Sequence, residues 1–226
     1  MSKGLEVLYC DNELIKRHLA EALVFSAFPM STKMDTFQSL CEEINNVYDL
    51  IKFEGIEGYG LKAYERYKRV KGMGGAKIGS GHDCFLKGVI VNAVISAPSY
   101  WYPQMQRYHF LDIISSQSKM HRITKMDLET QCIDEVDQRA IDLLNEMIDI
   151  YNNVSEEHKE DAFRKVLANC PMGLKLTCAI TTNYLQLKGI RNQRKGHKLS
   201  EWRVDFMEWL DSLPYFKELT GEDNEL

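Results

Sequence analysis

Apolar residues recur three and four positions apart near the start of the chain, which predicts amphipathic helices. The first stripe contains Leu14, Ile15, Leu19, Leu23 and Val24. Asp11 and Asn12 precede this stripe and are candidate N-caps, because a short polar side chain can accept a hydrogen bond from the first helical turn. The sequence therefore predicts a helix that begins next to Asp11.

A second helical stripe follows Pro29, with Asp35 as its candidate cap. Its members are Phe37, Leu40, Cys41, Ile44, Val47, Tyr48 and Ile51. A third helix is predicted over residues 58–75, where glycines end it. After a short helix that ends at Gly88, the β-branched run from Val89 to Ser96 predicts a strand.

Residues 99–122 read SYWYPQMQRYHFLDIISSQSKMHR and combine aromatic, histidine, arginine and serine side chains. We predict a helix from Pro103, because proline suits the first helical turn. Tyr100, Trp101, Tyr102 and Tyr108 have two interpretations. They fill the core, as aromatic rings with a polar tip often do, or they stack on a flavin or pyrimidine ring.

The second half of the chain predicts more helix than strand. A strong amphipathic helix spans residues 134–154, and another spans 155–171 with Ser155 and His158 as a partial capping box. Residues 173–180 predict a strand, and residues 181–216 predict two helices broken near Gly196. The predicted fold class is α+β, a helix-rich single domain over residues 1–226 with a frayed acidic tail at 220–226.

Composition and charge restrict the function. The formal net charge is −5, which argues against a protein that coats nucleic acid, since that activity needs a dense cationic face. No apolar run approaches the ~20 residues that a membrane span requires. The six cysteines form no CxxC pair and no secretory signal precedes them, so we expect reduced thiols in the cytoplasm. His109, His121 and Cys84 match no metal-ligand spacing, and we expect no metal.

The glycine-rich segment KGMGGAKIGSGHD at residues 71–83 invites comparison with phosphate-binding loops. It lacks the GK[ST] ending of such a loop, and no predicted strand leads into it. A mobile active-site loop or a plain linker remain the two interpretations.

Asn183 and Arg194 flank an apolar stripe on one face of the helix predicted from Thr182. In one interpretation Asn183 lies near the N-cap, and the stem of Arg194 passes the core to reach water. In the other, Arg194 is a rigid fork that grips a planar or anionic ligand. No GxSxG elbow or other diagnostic nucleophile motif accompanies them.

Three segments together resemble the flavin-dependent thymidylate synthase family. They are GHDCFLKGVIVNAVISAPSYWYPQMQRYHF, then SSQSKMHR, then NYLQLKGIRNQRKGHKLSEWR, and the resemblance spans residues 79–203. Gly81 and His82 match the family's Gly-His, and Gln104 with Arg107 match its Q-x-x-R. The last segment matches the family's Asn-to-Arg frame and its H-x-x-x-E-x-R tail through Asn183, Arg194, His197, Glu201 and Arg203.

The resemblance implies a helix-rich fold around an antiparallel or mixed sheet, and the reductive methylation of dUMP to dTMP. In the family, NADPH reduces FAD, methylenetetrahydrofolate donates the carbon, and a flavin hydride completes the methyl group without a cysteine nucleophile. It also implies a homotetramer with active sites between subunits. From the charge and the apolar runs, we expect neither a stable nucleic-acid partner nor a membrane.

The resemblance assigns roles to individual residues. Arg194 is implied as the catalytic arginine that polarises the pyrimidine. The implied cofactor-binding residues are His82, Arg107, His109 and Asn183. The implied substrate-binding residues are Gln104, Ser116, Ser118, Arg122 and Arg194.

This chain also departs from the family pattern. It has Arg107-Tyr108-His109 where the family has R-H-R, Lys87 where the family has an acidic residue, and Leu185 where the family has the arginine of N-x-R. Two alternatives therefore stay open beside dTMP synthesis. One is a different pyrimidine-nucleotide modification, such as hydroxymethylation without a flavin hydride. The other is a non-catalytic nucleotide-binding protein of the same fold.

Overall fold

The structure of the chain is a computed structural model that describes residues 4–28, 30–52 and 63–222. Four strands and many helices lie in these ranges. The first half contains β1 (Glu6–Cys10), α1 (Asn12–Ala27), α2 (Met34–Glu43), α3 (Asp49–Lys52), α4 (Ala63–Gly74), β2 (Ile90–Pro98), α5 (Tyr102–Met105) and β3 (Asp112–Ser116). The second half contains α6 (Lys119–Arg122), α7 (Leu128–Gln131), α8 (Gln138–Asn153), α9 (Lys159–Ala168), β4 (Lys175–Asn183), α10 (Tyr184–Arg194), α11 (Phe206–Ser212) and α12 (Phe216–Thr220).

The strands form one antiparallel sheet in the order β1-β2-β4-β3. β2 and β4 are the central pair, aligned from Ile90 opposite Asn183 to Pro98 opposite Lys175. Alternate residues of β2, including Val91, Ala93 and Ile95, are buried. That period of two places one face of the sheet on the hydrophobic core. The helix-rich α+β class predicted from the sequence is confirmed.

The first predicted helix is confirmed as α1, which packs against β2. Asp11 is its N-cap, and the Asp11 carboxylate accepts a 3.0 Å hydrogen bond from the backbone N–H of Leu14. Ile15, Leu19 and Leu23 are buried on the face that the pattern predicted. The local apolar period was sufficient to predict α1, because the apolar face of this helix is also its buried face.

The second predicted helix is only partly correct. α2 ends at Glu43 and α3 begins at Asp49, so the predicted stripe is interrupted. The prediction of Asp35 as the cap is wrong, because the N-cap is Lys33. The Asp49 carboxylate accepts hydrogen bonds from the backbone N–H groups of Asn45 (2.9 Å) and Asn46 (3.2 Å), which stabilises the turn between the helices. Part of the third predicted helix, over 58–62, lies outside the described residues, as does 223–226 of the predicted tail.

The helix predicted from Pro103 is the largest error. α5 covers one turn, and the chain then enters strand β3 at the edge of the sheet, where Ile113 pairs with Ile180 of β4. β1, which pairs with β2, was also not predicted. The strands β2 and β4 confirm the two predicted strands, and the break near Gly196 is confirmed by the end of α10 at Arg194.

Buried apolar side chains form two clusters. The larger one joins α1, α2, the sheet and α10–α12. The smaller one lies around α8 and α9 and contains Leu144, Ile148, Val166 and Leu174. The partial capping box predicted at Ser155 does not form, because Ser155 leads into a short 3-10 turn, Glu156–His158, without a side-chain cap. In the described part of the chain, no helix is long and apolar enough to cross a membrane.

Candidate nucleotide site

Arg194 is the last residue of α10, and three other polar side chains surround its head. Its Nε donates a 2.6 Å hydrogen bond to the Tyr108 hydroxyl, and its Nη1 donates to Gln104 Oε1 at 3.2 Å. Trp202 Nε1 donates to the same Gln104 oxygen at 3.1 Å. Guanidinium and indole nitrogens can only donate, so Gln104 must present its oxygen to them. The amide N–H₂ of Gln104 is left as a donor for another group.

The Arg194 guanidinium also lies on two aromatic rings. Its central carbon is 4.7 Å from the centre of the Trp202 ring and 5.3 Å from that of Tyr108. Such cation–π contacts stabilise a partly desolvated arginine. Among the described residues, no hydrogen bond uses Nη2 of Arg194. The protein therefore holds the guanidinium by one side and leaves two N–H donors for an acceptor ligand.

Trp202 belongs to a short π-helix, Glu201–Asp205, which follows the turn after α10. The wide turn of a π-helix is often found at functional sites. Trp202 stacks on Trp101 with 4.4 Å between ring centres and 25° between ring planes. Glu201 is buried and accepts a hydrogen bond from the Tyr100 hydroxyl. Burial and the contact with Glu201 raise the pKa of Tyr100, which stays protonated and donating.

The aromatic run of residues 100–102 is part of the core. Trp101 is fully buried, and the Tyr102 hydroxyl donates to the Leu176 carbonyl. The core interpretation therefore holds for these rings. Tyr108 is partly buried like Tyr100 and Tyr102, but its hydroxyl contacts the head of Arg194.

A second group of polar residues lies between β3 and β4. It surrounds a cavity of ≈ 590 Å³ lined by Ser115, Ser116, Gln117, Ser118, Arg122, Gln131, Thr177, Cys178 and Ala179. Serine hydroxyls and a guanidinium are hydrogen-bond donors suited to a phosphate group. The backbone N–H of Gln117 donates to the Thr177 carbonyl at 2.8 Å, and Gln117 Oε1 accepts from the Thr177 N–H at 3.2 Å. These two bonds fix the floor of the cavity to β4.

The structure brings together Ser116, Ser118 and Arg122, and it separately brings together Gln104 and Arg194. The lining of the cavity includes neither Gln104 nor Arg194. No hydrogen bond or ion pair in residues 4–28, 30–52 and 63–222 joins the two groups. In the described part of the chain, the predicted substrate residues therefore form two groups with no direct contact, although a second cavity borders both α5 and the end of β3 through Pro103, Gln106, Ser116 and Gln117.

The predicted cofactor residues lie mostly at the surface. His82, Arg107 and His109 are all exposed. His82 follows Gly81, which has a φ of +81° that only glycine adopts easily. Asn183 is the N-cap of α10, and its Oδ1 accepts a 3.0 Å hydrogen bond from the Gln186 N–H. The cap interpretation holds for Asn183, and α10 begins at Tyr184 rather than at the predicted Thr182.

Several residues at these places were not predicted as part of a site. They are Trp202, Gln117, Gln131 and Thr177. Trp202 lies within the resembling tail segment, but nothing in its spacing indicates that it would reach Gln104. The two residues of the cavity floor depend on the pairing of β3 with β4, and β3 itself was not predicted. Among the described residues, no group of three or more His, Cys, Asp or Glu side chains is arranged to hold a metal ion.

Comparison with known proteins finds similarity in structure only. No family model matches the sequence, and no curated protein matches it. Two crystal structures of the flavin-dependent thymidylate synthase ThyX from Helicobacter pylori, both with FAD and dUMP, are similar to this chain with a TM-score of 0.53. Each is 14% identical and matches 97% of this chain, and the match covers 98% of one ThyX chain and 97% of the other. The chain shares the fold of these enzymes.

Proposed function

We propose that the chain is a single-domain enzyme that converts dUMP to dTMP, using FAD, NADPH and methylenetetrahydrofolate. The observation that carries the proposal is the cavity of Ser116, Ser118 and Arg122, because its donors suit the phosphate of a nucleotide. The shared fold supports it, since the two similar structures contain FAD and dUMP. The three sequence segments that resemble the flavin-dependent thymidylate synthase family support the same reaction.

Gln104 and Arg194 are proposed to bind the pyrimidine. Both have N–H donors that form no hydrogen bond among the described residues, and the carbonyl oxygens of uracil are acceptors. Arg194 is the proposed catalytic residue. Its guanidinium is held by Tyr108 and Trp202, so it needs little reorganisation when negative charge builds on the ring. A planar fork that stays charged suits this role better than the ammonium of lysine.

We propose that the site is shared between copies of the chain, as the resemblance implies. In that arrangement, the cavity with Arg122 from one copy and the Gln104–Arg194 pair from another complete one site. The edge strand β3 offers an apolar surface for this contact, because Ile113 and Ile114 are exposed, as is Phe110 shortly before the strand. We propose a homotetramer. Sedimentation at micromolar protein tests this assembly, and a single species at the mass of one chain would contradict it.

The residues proposed to bind FAD are His82, Arg107, His109 and Asn183. Asn183 lies at the N-terminus of α10, the helix that ends at Arg194. Neither Arg107 nor His109 forms an ion pair in the described part of the chain, so both are available to an anionic pyrophosphate. When bound, FAD would supply the hydride, taken from NADPH, that completes the methyl group. No residue is assigned to NADPH or to methylenetetrahydrofolate.

A second candidate is a pyrimidine-nucleotide enzyme or binding protein of the same fold that uses no flavin. Leu185 favours it, because this residue packs against the core at a position where the resembling family has an arginine. Tyr108 also favours it, because this tyrosine stands at the centre of the motif where the resembling family has the histidine of R-H-R. Under this hypothesis, the cavity and Arg194 would still bind the nucleotide.

The two candidates are distinguished by the visible spectrum of the purified protein. We expect a yellow protein that releases FAD when it is denatured, or an apoprotein that acquires the flavin spectrum on titration with FAD. A colourless protein that binds dUMP but no FAD would reject the flavin-dependent reaction and support the second candidate.

A further inference from the structure

Lys188 is a buried cation in the middle of α10 that has no place in the proposed chemistry. Lys188 is 4% exposed. Its Nζ donates to the Gly74 carbonyl at 2.7 Å, the Ala76 carbonyl at 2.6 Å and Asp83 Oδ2 at 2.8 Å. An ammonium group has three hydrogens, so all its donors are satisfied by these acceptors. The surrounding acceptors therefore hold the Lys188 ammonium group in one fixed position.

The three acceptors lie at the two ends of one segment. Gly74 and Ala76 are at its start and Asp83 is at its end, where a 3-10 turn, Cys84–Gly88, begins. Asp83 is 1% exposed, although its neighbour His82 is exposed. One lysine therefore closes both ends of the glycine-rich segment 74–83 against α10.

The other hydrogen bonds of this segment are local. The backbone N–H of Ala76 donates to the Met73 carbonyl, that of Ser80 to the Lys77 carbonyl, and that of His82 to Ser80 Oγ. Among the described residues, only Lys188 connects this segment by hydrogen bonds to a distant part of the chain, and it does so at both ends. Gly79 and Gly81 have positive φ values, and a Cβ at either position would point into open space, so the exposed turn has little packing of its own.

We propose that Lys188 is a positioning residue that fixes the segment 74–83, and with it His82, relative to the helix that ends at Arg194. A hydrophobic side chain at position 188 can fill the space but cannot bind two carbonyls and a carboxylate. The expected effect of Lys188 on FAD binding rests on the proposed function, in which His82 contacts FAD. The attachment of the segment itself does not depend on that function.

The test uses the full chain with Lys188→Met and, separately, Asp83→Asn. Asp83→Asn keeps the shape of the buried side chain and removes its charge. It therefore tests the same contact if Lys188→Met does not fold. Lysyl endopeptidase should cleave after the exposed Lys77 at least tenfold faster in either variant, with the cut assigned by mass spectrometry. FAD affinity, measured by titration of flavin fluorescence, should weaken at least tenfold.

Leu144→Ala is the matched control, because Leu144 is fully buried in the smaller core cluster. It lowers the melting temperature without touching the segment, so cleavage after Lys77 and FAD affinity should stay near those of the parent protein. Lys188→Met or Asp83→Asn behaving like this control would overturn the proposal. If cleavage after Lys77 accelerates in the two variants while even the parent protein binds no FAD, the positioning role stands and the proposed function fails.

Discussion

The Nε of Arg194 donates a 2.6 Å hydrogen bond to the hydroxyl of Tyr108, which the chain has between Arg107 and His109. In the resembling family, a histidine occupies this place in the R-H-R motif. The substitution therefore changes the neighbour of the proposed catalytic arginine. Tyr108 holds one edge of the guanidinium and leaves the Nη2 donors for a ligand.

Tyr108→Phe removes this hydrogen bond and keeps the ring under the guanidinium. We expect dUMP affinity to weaken about fivefold, or ~1 kcal/mol, because Arg194 is held less firmly. Isothermal titration with dUMP measures the change. Tyr184→Phe is the control, since that buried hydroxyl donates to the Pro214 carbonyl away from the site. It should lower stability and leave dUMP affinity unchanged; equal loss of affinity in both variants would argue against a specific role of Tyr108.

Arg194→Lys keeps the charge but loses the planar fork. We expect dUMP binding or turnover to fall at least tenfold, about 1.4 kcal/mol. Loss of stacking on Trp202 should also lower the free energy of unfolding by about 0.5–1 kcal/mol. Arg191→Lys is the matched control on the same helix, where Arg191 pairs with Asp211 at 2.6 Å. A fully active Arg194→Lys enzyme would refute the catalytic role.

Arg122→Ala tests the cavity between β3 and β4 as the phosphate site. We expect dUMP affinity to fall about tenfold or more, corresponding to a charge-assisted contact of roughly 1.5–3 kcal/mol. Affinity for deoxyuridine, which has no phosphate, should not change. Lys125→Ala removes a nearby positive charge that does not line the cavity, and should have little effect. If the affinities for dUMP and deoxyuridine fall equally, Arg122 does not bind the phosphate.

His197 reports on the charge of Arg194. Partial burial and, secondly, the Arg194 charge lower the pKa of His197 below its ordinary value of 6.5. Because the folded pKa is below the unfolded one, this histidine contributes to stability above about pH 6.5, and the contribution is lost as the pH falls through the folded pKa. Arg194→Met should raise the His197 pKa in an NMR titration of the ring protons. An unchanged pKa would show that the two groups are not coupled in solution.

The sequence predicted those elements whose apolar period matches their final burial. α1 is the clearest case, because the stripe of Ile15, Leu19 and Leu23 is the face that packs on β2. β3 could not be predicted in this way. All five of its residues are exposed and show no alternation, and its strand conformation depends on pairing with β4, far along the chain.

The candidate site shows the same limit. Spacing and resemblance identified Arg194 and Gln104, which the structure joins by a hydrogen bond. They could not identify Trp202 as the residue that fixes the Gln104 amide, because that contact is created by the π-helix after α10. The sequence left the role of Asn183 open for a related reason, since period alone cannot separate a helix from its N-cap when a strand leads directly into the helix.

The formation of dTMP from dUMP tests the central proposal most directly. Purified protein is incubated with dUMP, methylenetetrahydrofolate, NADPH and FAD, and the nucleotide product is identified by mass spectrometry. We expect dTMP in the complete mixture and none when FAD or NADPH is omitted, with Arg194→Lys at least tenfold slower. A hydroxymethylated nucleotide formed without FAD, or unchanged dUMP in the complete mixture, would contradict a flavin-dependent thymidylate synthase.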